Sequence, residues 1–166
     1  MFYTIADDLI FYQLLSFIKK YSNYELKLRE YFHNKTKGVY PEFIVVINQF
    51  IFFFVKKKDY LNSNMHINSM RRQITKRKIL IIRIEKILIN LLFSFFPDLN
   101  IDDIKIEFDN QSGNREISVY FLFYEERGRA IGRNGDYIRA VNHIFENQVV
   151  FENNNIPLKV KCKFKK

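Results

Sequence analysis

The sequence predicts an α+β protein in which a compact C-terminal domain follows a helical extension. Apolar and polar residues alternate in three short stretches of the C-terminal half, which is typical of half-buried strands. Between these stretches, apolar residues recur at helical spacing. Apolar residues make up 48% of the 166 residues, enough for a substantial core and unlike a disordered chain.

Residues 1–55 are predicted to form the helical extension. Apolar residues at 5, 9, 12 and 15 follow a helical stripe, one or two helices are expected over 5–32, and Pro41 suits the first turn of another helix. The run Phe43–Val55 is apolar on nearly every side, so a helix there must be buried all round, by this chain or by another. A strand of that length would be unusual. We therefore expect a helix, and its apolar surface suggests a place in a large assembly.

The positive charge is concentrated in one stretch. Of the net charge of +9, residues 56–86 carry +8, with ten basic and two acidic residues. We predict a basic linker over 56–77 that neutralises phosphates, a contact without sequence specificity. A solvated linker and a site for anionic lipid are the alternatives. The candidate residues are Lys56, Lys57, Lys58, Arg71, Arg72, Lys76, Arg77 and Lys78.

Residues 78–166 are predicted to form the compact domain. Its order is helix, strand, strand, helix, glycine loop, helix, strand, which gives three strands covered on one side by helices. A helix is expected over 78–96, ending before Pro97, and a hairpin turn over 110–114. In the last strand Leu158, Val160, Cys162 and Phe164 alternate with lysines, so one face is core and the other is a row of lysines.

The stretch 126–145 contains a loop with two glycines between two predicted helices. Gly132, Arg133, Asn134 and Gly135 form this loop, and the glycines let a ligand approach the backbone closely. The amides at the start of the next helix carry partial positive charge, which suits a phosphate. Three further arginines flank the loop and are candidates for phosphate contacts: Arg127, Arg129 and Arg139.

The order of elements over 78–165, with Ile131-Gly132-Arg133-Asn134-Gly135 at its centre, resembles a type II KH domain. The string 128–139 is similar to KH domains of NusA-type transcription factors, of small bacterial RNA chaperones and of the small-subunit ribosomal protein that lies where mRNA enters. The resemblance implies that the loop clamps about four nucleotides of single-stranded RNA. It also implies that bases lie in an apolar groove floored by residues such as Ile131 and Ile138. Residues 1–77 match no KH domain.

Several classes of function lack their sequence patterns. The three histidines lie in unrelated contexts, and no nucleophile elbow, Walker loop or paired carboxylates are present, so no enzyme is expected. One cysteine, Cys162, allows no intramolecular disulfide, and no spacing of cysteine and histidine residues suggests a zinc site. We expect no cofactor, no small-molecule substrate and no transmembrane segment.

Residues with A/T-rich codons are abundant, which suggests an AT-rich genome such as that of an organelle. We expect an RNA-binding, structural component of an organellar ribosome in the mitochondrial matrix, in the small subunit, with rRNA and neighbouring proteins as partners. Encoding in the organelle would fit the absence of an import signal at the N-terminus. Two alternatives remain open: a free KH factor in transcription or RNA chaperoning, and a KH fold that serves only as a protein scaffold.

Overall fold

The computed structural model describes residues 5–152 and 159–165, and these form an α+β fold. The helices are α1 Ile5–Phe11, α2 Asn23–Lys35, α3 Tyr60–Asn64, α4 Ile67–Gln73, α5 Leu88–Ser94, α6 Tyr124–Ile131 and α7 Asp136–Asn147. The strands are β1 Leu15–Phe17, β2 Phe43–Ile47, β3 Phe50–Val55, β4 Lys78–Arg83, β5 Ile101–Phe108, β6 Arg115–Phe121, β7 Val149–Phe151 and β8 Lys159–Phe164. Short 3₁₀ turns occupy Lys57–Asp59 and Arg133–Gly135.

The chain folds into two compact units. Lys19–Glu85 forms one, which we call the basic unit because it holds fifteen basic and five acidic residues, a net charge of +10. Met1–Ile18 and Lys86–Lys166 form the other, the glycine-loop unit, with twelve basic and thirteen acidic residues and a net charge of −1. The boundaries expected after residues 55 and 77 both fall inside the basic unit.

The prediction of a helix over Phe43–Val55 is wrong, because this run forms the antiparallel hairpin β2–β3. Asn48 lies in the turn with a positive φ of 49°, a backbone conformation that Asn tolerates better than most residues. All six residues of β3 are buried, so both of its faces are covered, and both of its edges pair with strands, β2 on one side and β4 on the other. A strand buried on both faces shows no alternation, which is why its sequence resembles a buried helix.

The core of the basic unit lies between its sheet and two helices. Leu28 and Phe32 of α2 and Met70 of α4 pack against alternate residues of the sheet, among them Ile51 and Phe53. The Phe32 and Phe53 rings lie 4.5 Å apart between centroids. On the other face of β3, the Phe54 ring stacks on Phe43 at 4.0 Å. The apolar run is therefore buried within this chain.

Two neighbouring predictions are also corrected. Residues 56–77 do not form a linker, because they contain α3 and α4, with Ser63 and Met70 buried. The single helix expected over 78–96 is the strand β4 followed by the helix α5. The three β-branched isoleucines at 79, 81 and 82 favour a strand, and β4 pairs in parallel with β3. Only the second half of the predicted helix is helical.

The glycine-loop unit has the order expected of the compact domain, beginning at α5. Strand β5 is antiparallel to β6, and β6 is parallel to β8. The alternation of the last strand is confirmed at Val160 and Cys162, which are buried, while Leu158 lies outside the described residues. The prediction that Phe164 belongs to the core is wrong, because this residue at the end of β8 is exposed. A short pair of strands, β1 and β7, was not expected. Residues 5–32 are therefore only partly helical, since β1 separates α1 from α2.

The two units repeat one topology. In each, a helix precedes two antiparallel strands, two helices follow, and a last strand pairs in parallel with the middle one. The strand orders β2-β3-β4 and β5-β6-β8 correspond position by position. The units differ between their paired helices, where the basic unit has Met65 and His66 and the glycine-loop unit has 132–135. The same order of helices and strands therefore occurs twice in the chain.

Candidate nucleic-acid interface

The glycine loop connects α6 to α7 with three left-handed or positive-φ residues around Arg133. The φ angles are 82° at Gly132, 54° at Asn134 and 73° at Gly135. A Cβ atom at Gly132 would clash with Asp136 Oδ1 and would lie 2.8 Å from the backbone nitrogen of Tyr137. Gly132 is thus required by the close approach of the loop to the first turn of α7, as well as by its φ.

The tip of the loop presents two exposed polar residues, Arg133 and Asn134. Arg139 lies one turn into α7, and its Nη1 donates a hydrogen bond of 2.6 Å to the Asn134 carbonyl. Arg139 therefore stabilises the conformation of the loop. The sequence predicted a phosphate contact for this residue and did not predict this positioning role. Its guanidinium is exposed and has further donors that could meet a phosphate.

The two arginines of α6 differ in their surroundings. Arg129 lies 3.8 Å from the carboxylate of the buried Glu126, which also accepts hydrogen bonds from the backbone and side-chain nitrogens of Asn100. Arg127 is half-buried, with its guanidinium 5.9 Å from the centre of the Tyr124 ring. Among the described residues, no carboxylate forms an ion pair with Arg127, so its charge is uncompensated.

Helix α7 is anchored at two points along its length. Near its start, the Tyr137 hydroxyl donates a hydrogen bond to the Phe95 carbonyl. Farther along, the Asn142 side-chain amide makes two hydrogen bonds to the backbone of β8. Its oxygen accepts from the Val160 nitrogen at 2.8 Å, and its nitrogen donates to the Val160 oxygen at 3.1 Å. Asn142 was not predicted from the sequence, where its only signal is a polar residue beside the apolar stripe.

The apolar residues around the loop divide into core and surface. Val141, Ile144 and Phe145 of α7 are buried and belong to the core. Ile131 and Ile138, the expected floor of a groove for bases, are half-buried. Both remain accessible to a ligand beside the loop.

The alternating sequence of the last strand predicted an exposed row of lysines. In the structure, three of these lysines form ion pairs with carboxylates. Lys161 and Lys163 each lie 2.8 Å from a carboxylate oxygen of Glu116, which is buried near the start of β6. Burial raises the pKa of Glu116, but hydrogen bonds from the two lysines outweigh this and hold it below its usual value. Lys165 pairs with Asp102 at 3.2 Å. The charge of this face is largely neutralised within the sheet.

The predicted phosphate-contacting residues of the basic unit fall into two groups. Four are engaged: Lys56 pairs with Glu42 at 3.4 Å, Arg71 donates to the Ile79 carbonyl, Arg77 lies over the Tyr24 ring, and Lys78 lies over the Phe50 ring. The other four are exposed, and no described carboxylate pairs with them: Lys57, Lys58, Arg72 and Lys76. These four are the stronger candidates for phosphate contacts.

Cys162 is buried in β8. Burial raises the pKa of its thiol to about 12, against a smaller opposing effect from the charge of Arg127. The thiolate, which is the nucleophilic form, is therefore scarce near neutral pH.

Over 5–152 and 159–165, no group of histidine, cysteine and acidic side chains could hold a metal ion. In the same residues, no helix has both the length and the apolar character needed to span a bilayer.

No protein-family model matches the chain, and no curated protein matches it in sequence. Solved structures do resemble it, among them the crystal structure of APE1850, with a TM-score of 0.58 and 18% sequence identity. The alignment covers 86% of this chain and 100% of that one. Because neither unit alone spans 86% of the chain, the alignment includes parts of both. At this identity the likeness shows a shared α+β fold.

Replacing Gly132 with alanine should lower the free energy of unfolding by about 1–3 kcal/mol, because the new Cβ would meet α7 at a backbone conformation that alanine disfavours. Urea denaturation followed by circular dichroism measures the change. Gly128→Ala is the matched control, since Gly128 lies in α6 with open space around it. It should be neutral or stabilising by up to about 1 kcal/mol. Equal losses of stability in both variants would contradict the close contact at Gly132.

Proposed function

We propose that this protein binds single-stranded RNA through a type II KH-like domain, with the loop 132–135 holding the sugar-phosphate backbone. The loop itself carries the proposal. Its backbone packs closely against α7 at Gly132 and is held by the hydrogen bond from Arg139, while Arg133 and Asn134 remain exposed at its tip. A rigid loop with a cation and an amide at its tip offers donors to phosphate oxygens without first having to be ordered.

The surroundings of the loop support the same function. It lies between the paired helices of an α-β-β-α-α-β unit, the order that the KH resemblance implies. Half-buried Ile131 and Ile138 flank it and suit contact with bases. A two-glycine loop by itself would be common in many proteins, whereas this loop in this order is much more specific.

The charge distribution suggests how affinity is divided. The glycine-loop unit carries −1, and the lysines of β8 are paired with carboxylates, so this unit offers little general attraction for RNA. The basic unit carries +10 and exposes Lys57, Lys58, Arg72 and Lys76. We infer that the basic unit supplies most of the attraction for phosphates, while the loop positions one short segment of the strand.

The assembly that we favour is an organellar ribosome, with the small subunit as the site and rRNA as the ligand. The abundance of residues with A/T-rich codons supports this choice. The apolar run 43–55 no longer does, because it is buried within the chain and needs no neighbouring protein to cover it. That observation favours the second candidate, a free KH-type factor in transcription or RNA chaperoning.

Changing Arg133 and Asn134 together to aspartate should weaken RNA binding roughly tenfold or more, because three units of negative charge are added where phosphate is expected. Fluorescence anisotropy with a labelled single-stranded oligoribonucleotide measures the affinity. A control with Lys86→Asp and Asn90→Asp makes the same change in charge at two exposed positions before and within α5. If the two double variants lose affinity equally, the effect is one of net charge, and the loop does not bind.

Replacing Lys57, Lys58, Arg72 and Lys76 with glutamine should weaken binding to all single-stranded sequences alike. The slope of log affinity against log salt concentration should become shallower by about 0.7 for each phosphate that is no longer neutralised. The matched control removes the same charge from Lys20, Lys27, Lys35 and Lys37 of the same unit. An unchanged slope in the first variant would show that these four residues are solvated and do not contact phosphates.

Sedimentation of a lysate from the source cells separates the two candidate assemblies. A ribosomal component should co-migrate with a ribosomal subunit and stay with it when excess competitor RNA is added. A free factor should sediment slowly and bind the labelled oligonucleotide. Migration only in a slow fraction that lacks RNA would exclude the ribosomal assignment.

A further inference from the structure

The glycine-loop unit has an open cavity of about 400 Å³ away from the loop. It lies where the first turns of α6 meet the ends of β6 and β8, and its lining residues are Tyr120, Tyr124, Arg127, Lys163 and Phe164. Cavities of this size bind small planar groups in many proteins. None of its residues except Arg127 was a candidate from the sequence.

Two walls of the cavity are aromatic and open to solvent. Tyr124 is 63% exposed and Phe164 is 37% exposed. Their rings meet edge to face at 5.8 Å, so they hold each other in place without covering their outer faces. Leu122 and Phe123, just before Tyr124, are also about half exposed. Such a cluster of exposed apolar side chains is typical of a binding surface.

The other lining residues include two cations, Lys163 and Arg127. Carboxylates compensate the charge of Lys163 but not that of Arg127. Lys163 is paired with Glu116 at 2.8 Å and with Glu107 at 3.5 Å, and the Tyr120 hydroxyl donates to Glu107 at 2.6 Å. The charge of Lys163 is therefore compensated by these carboxylates. Arg127 is not part of these ion pairs: it is half-buried, its guanidinium lies over the Tyr124 ring at 5.9 Å from the ring centre, and no described carboxylate forms an ion pair with it. An exposed ring next to such a guanidinium can stack a base and meet its phosphate.

We propose that this cavity is a nucleobase site, in which one base of the bound RNA stacks on Tyr124 beside Phe164 and Arg127 contacts the adjoining phosphate. The inference rests on the proposed function and adds a subsite to it. Helix α6 has eight residues and is about 12 Å long, with the cavity at its start and the glycine loop after its end. A strand whose backbone is held by the loop can therefore reach the cavity within a few nucleotides.

The test uses the full chain, a single-stranded oligoribonucleotide, and an abasic ribose-phosphate strand of equal length. Tyr124→Ala should weaken binding of the base-bearing strand about tenfold and leave binding of the abasic strand unchanged. Tyr124→Phe, which keeps the ring, should bind within about twofold of the original protein. Tyr12→Ala is the matched control, because Tyr12 lies in the same unit and is 58% exposed.

A fluorescent variant gives a second measurement. The chain contains no tryptophan, so Tyr124→Trp introduces a single reporter. Its emission should be quenched by the base-bearing strand and unaffected by the abasic strand. Quenching by both strands alike would overturn base stacking.

The outcomes separate this inference from the function on which it rests. If Tyr124→Ala binds the base-bearing strand as well as the original protein does, while the Arg133 and Asn134 double variant loses binding, the cavity is not a base site and the loop function stands. The same result is expected if a protein partner covers the cavity. Equal weakening for both strands would also overturn the inference. If the original protein binds neither strand, the proposed function and the base site fail together.

Discussion

Parallel pairing of the middle strand with the last strand is the constraint on which both units depend. Parallel strands cannot be joined by a tight hairpin, so the chain must cross over the sheet before it returns in the same direction. In each unit a pair of helices makes that crossover, α3 with α4 and α6 with α7. The turn between the paired helices is therefore unavoidable, and in the glycine-loop unit its tip is exposed, where a ligand can reach it.

The connection between the paired helices has a different backbone conformation in the two units. In the basic unit, Met65 and His66 connect the helices with ordinary helical backbone angles, and no glycine is needed. In the glycine-loop unit, positive φ angles at 132, 134 and 135 turn the chain sharply and bring it against α7. The backbone conformation and the packing of the loop thus explain why glycine occupies these positions, and a ligand is not required to explain it. The exposed tip between them is what a ligand would use.

Electrostatics divides the units as clearly as the crossovers do. In the glycine-loop unit, lysines on one face of the sheet are held by buried or half-buried acids such as Glu116 and Glu107, so they strengthen the sheet instead of attracting a partner. In the basic unit, acids are few and several cations pair with no carboxylate among the described residues. Uncompensated charge, and not the number of lysines, decides which surface attracts phosphates.

The sequence by itself determined the α+β class, the strands β5, β6 and β8, and the glycine loop between two helices. Each of these has alternating apolar and polar residues in its sequence, or a turn that demands glycine, so the local pattern is sufficient to reveal it. Tertiary structure decided the rest. Strand β3 is covered on both faces, so Phe43–Val55 shows no period, and only its pairing with β2 and β4 identifies it. The pairing of the β8 lysines with Glu116 and the cavity beside Tyr124 likewise depend on side chains that lie far apart in the chain and meet only when β6, α6 and β8 come together.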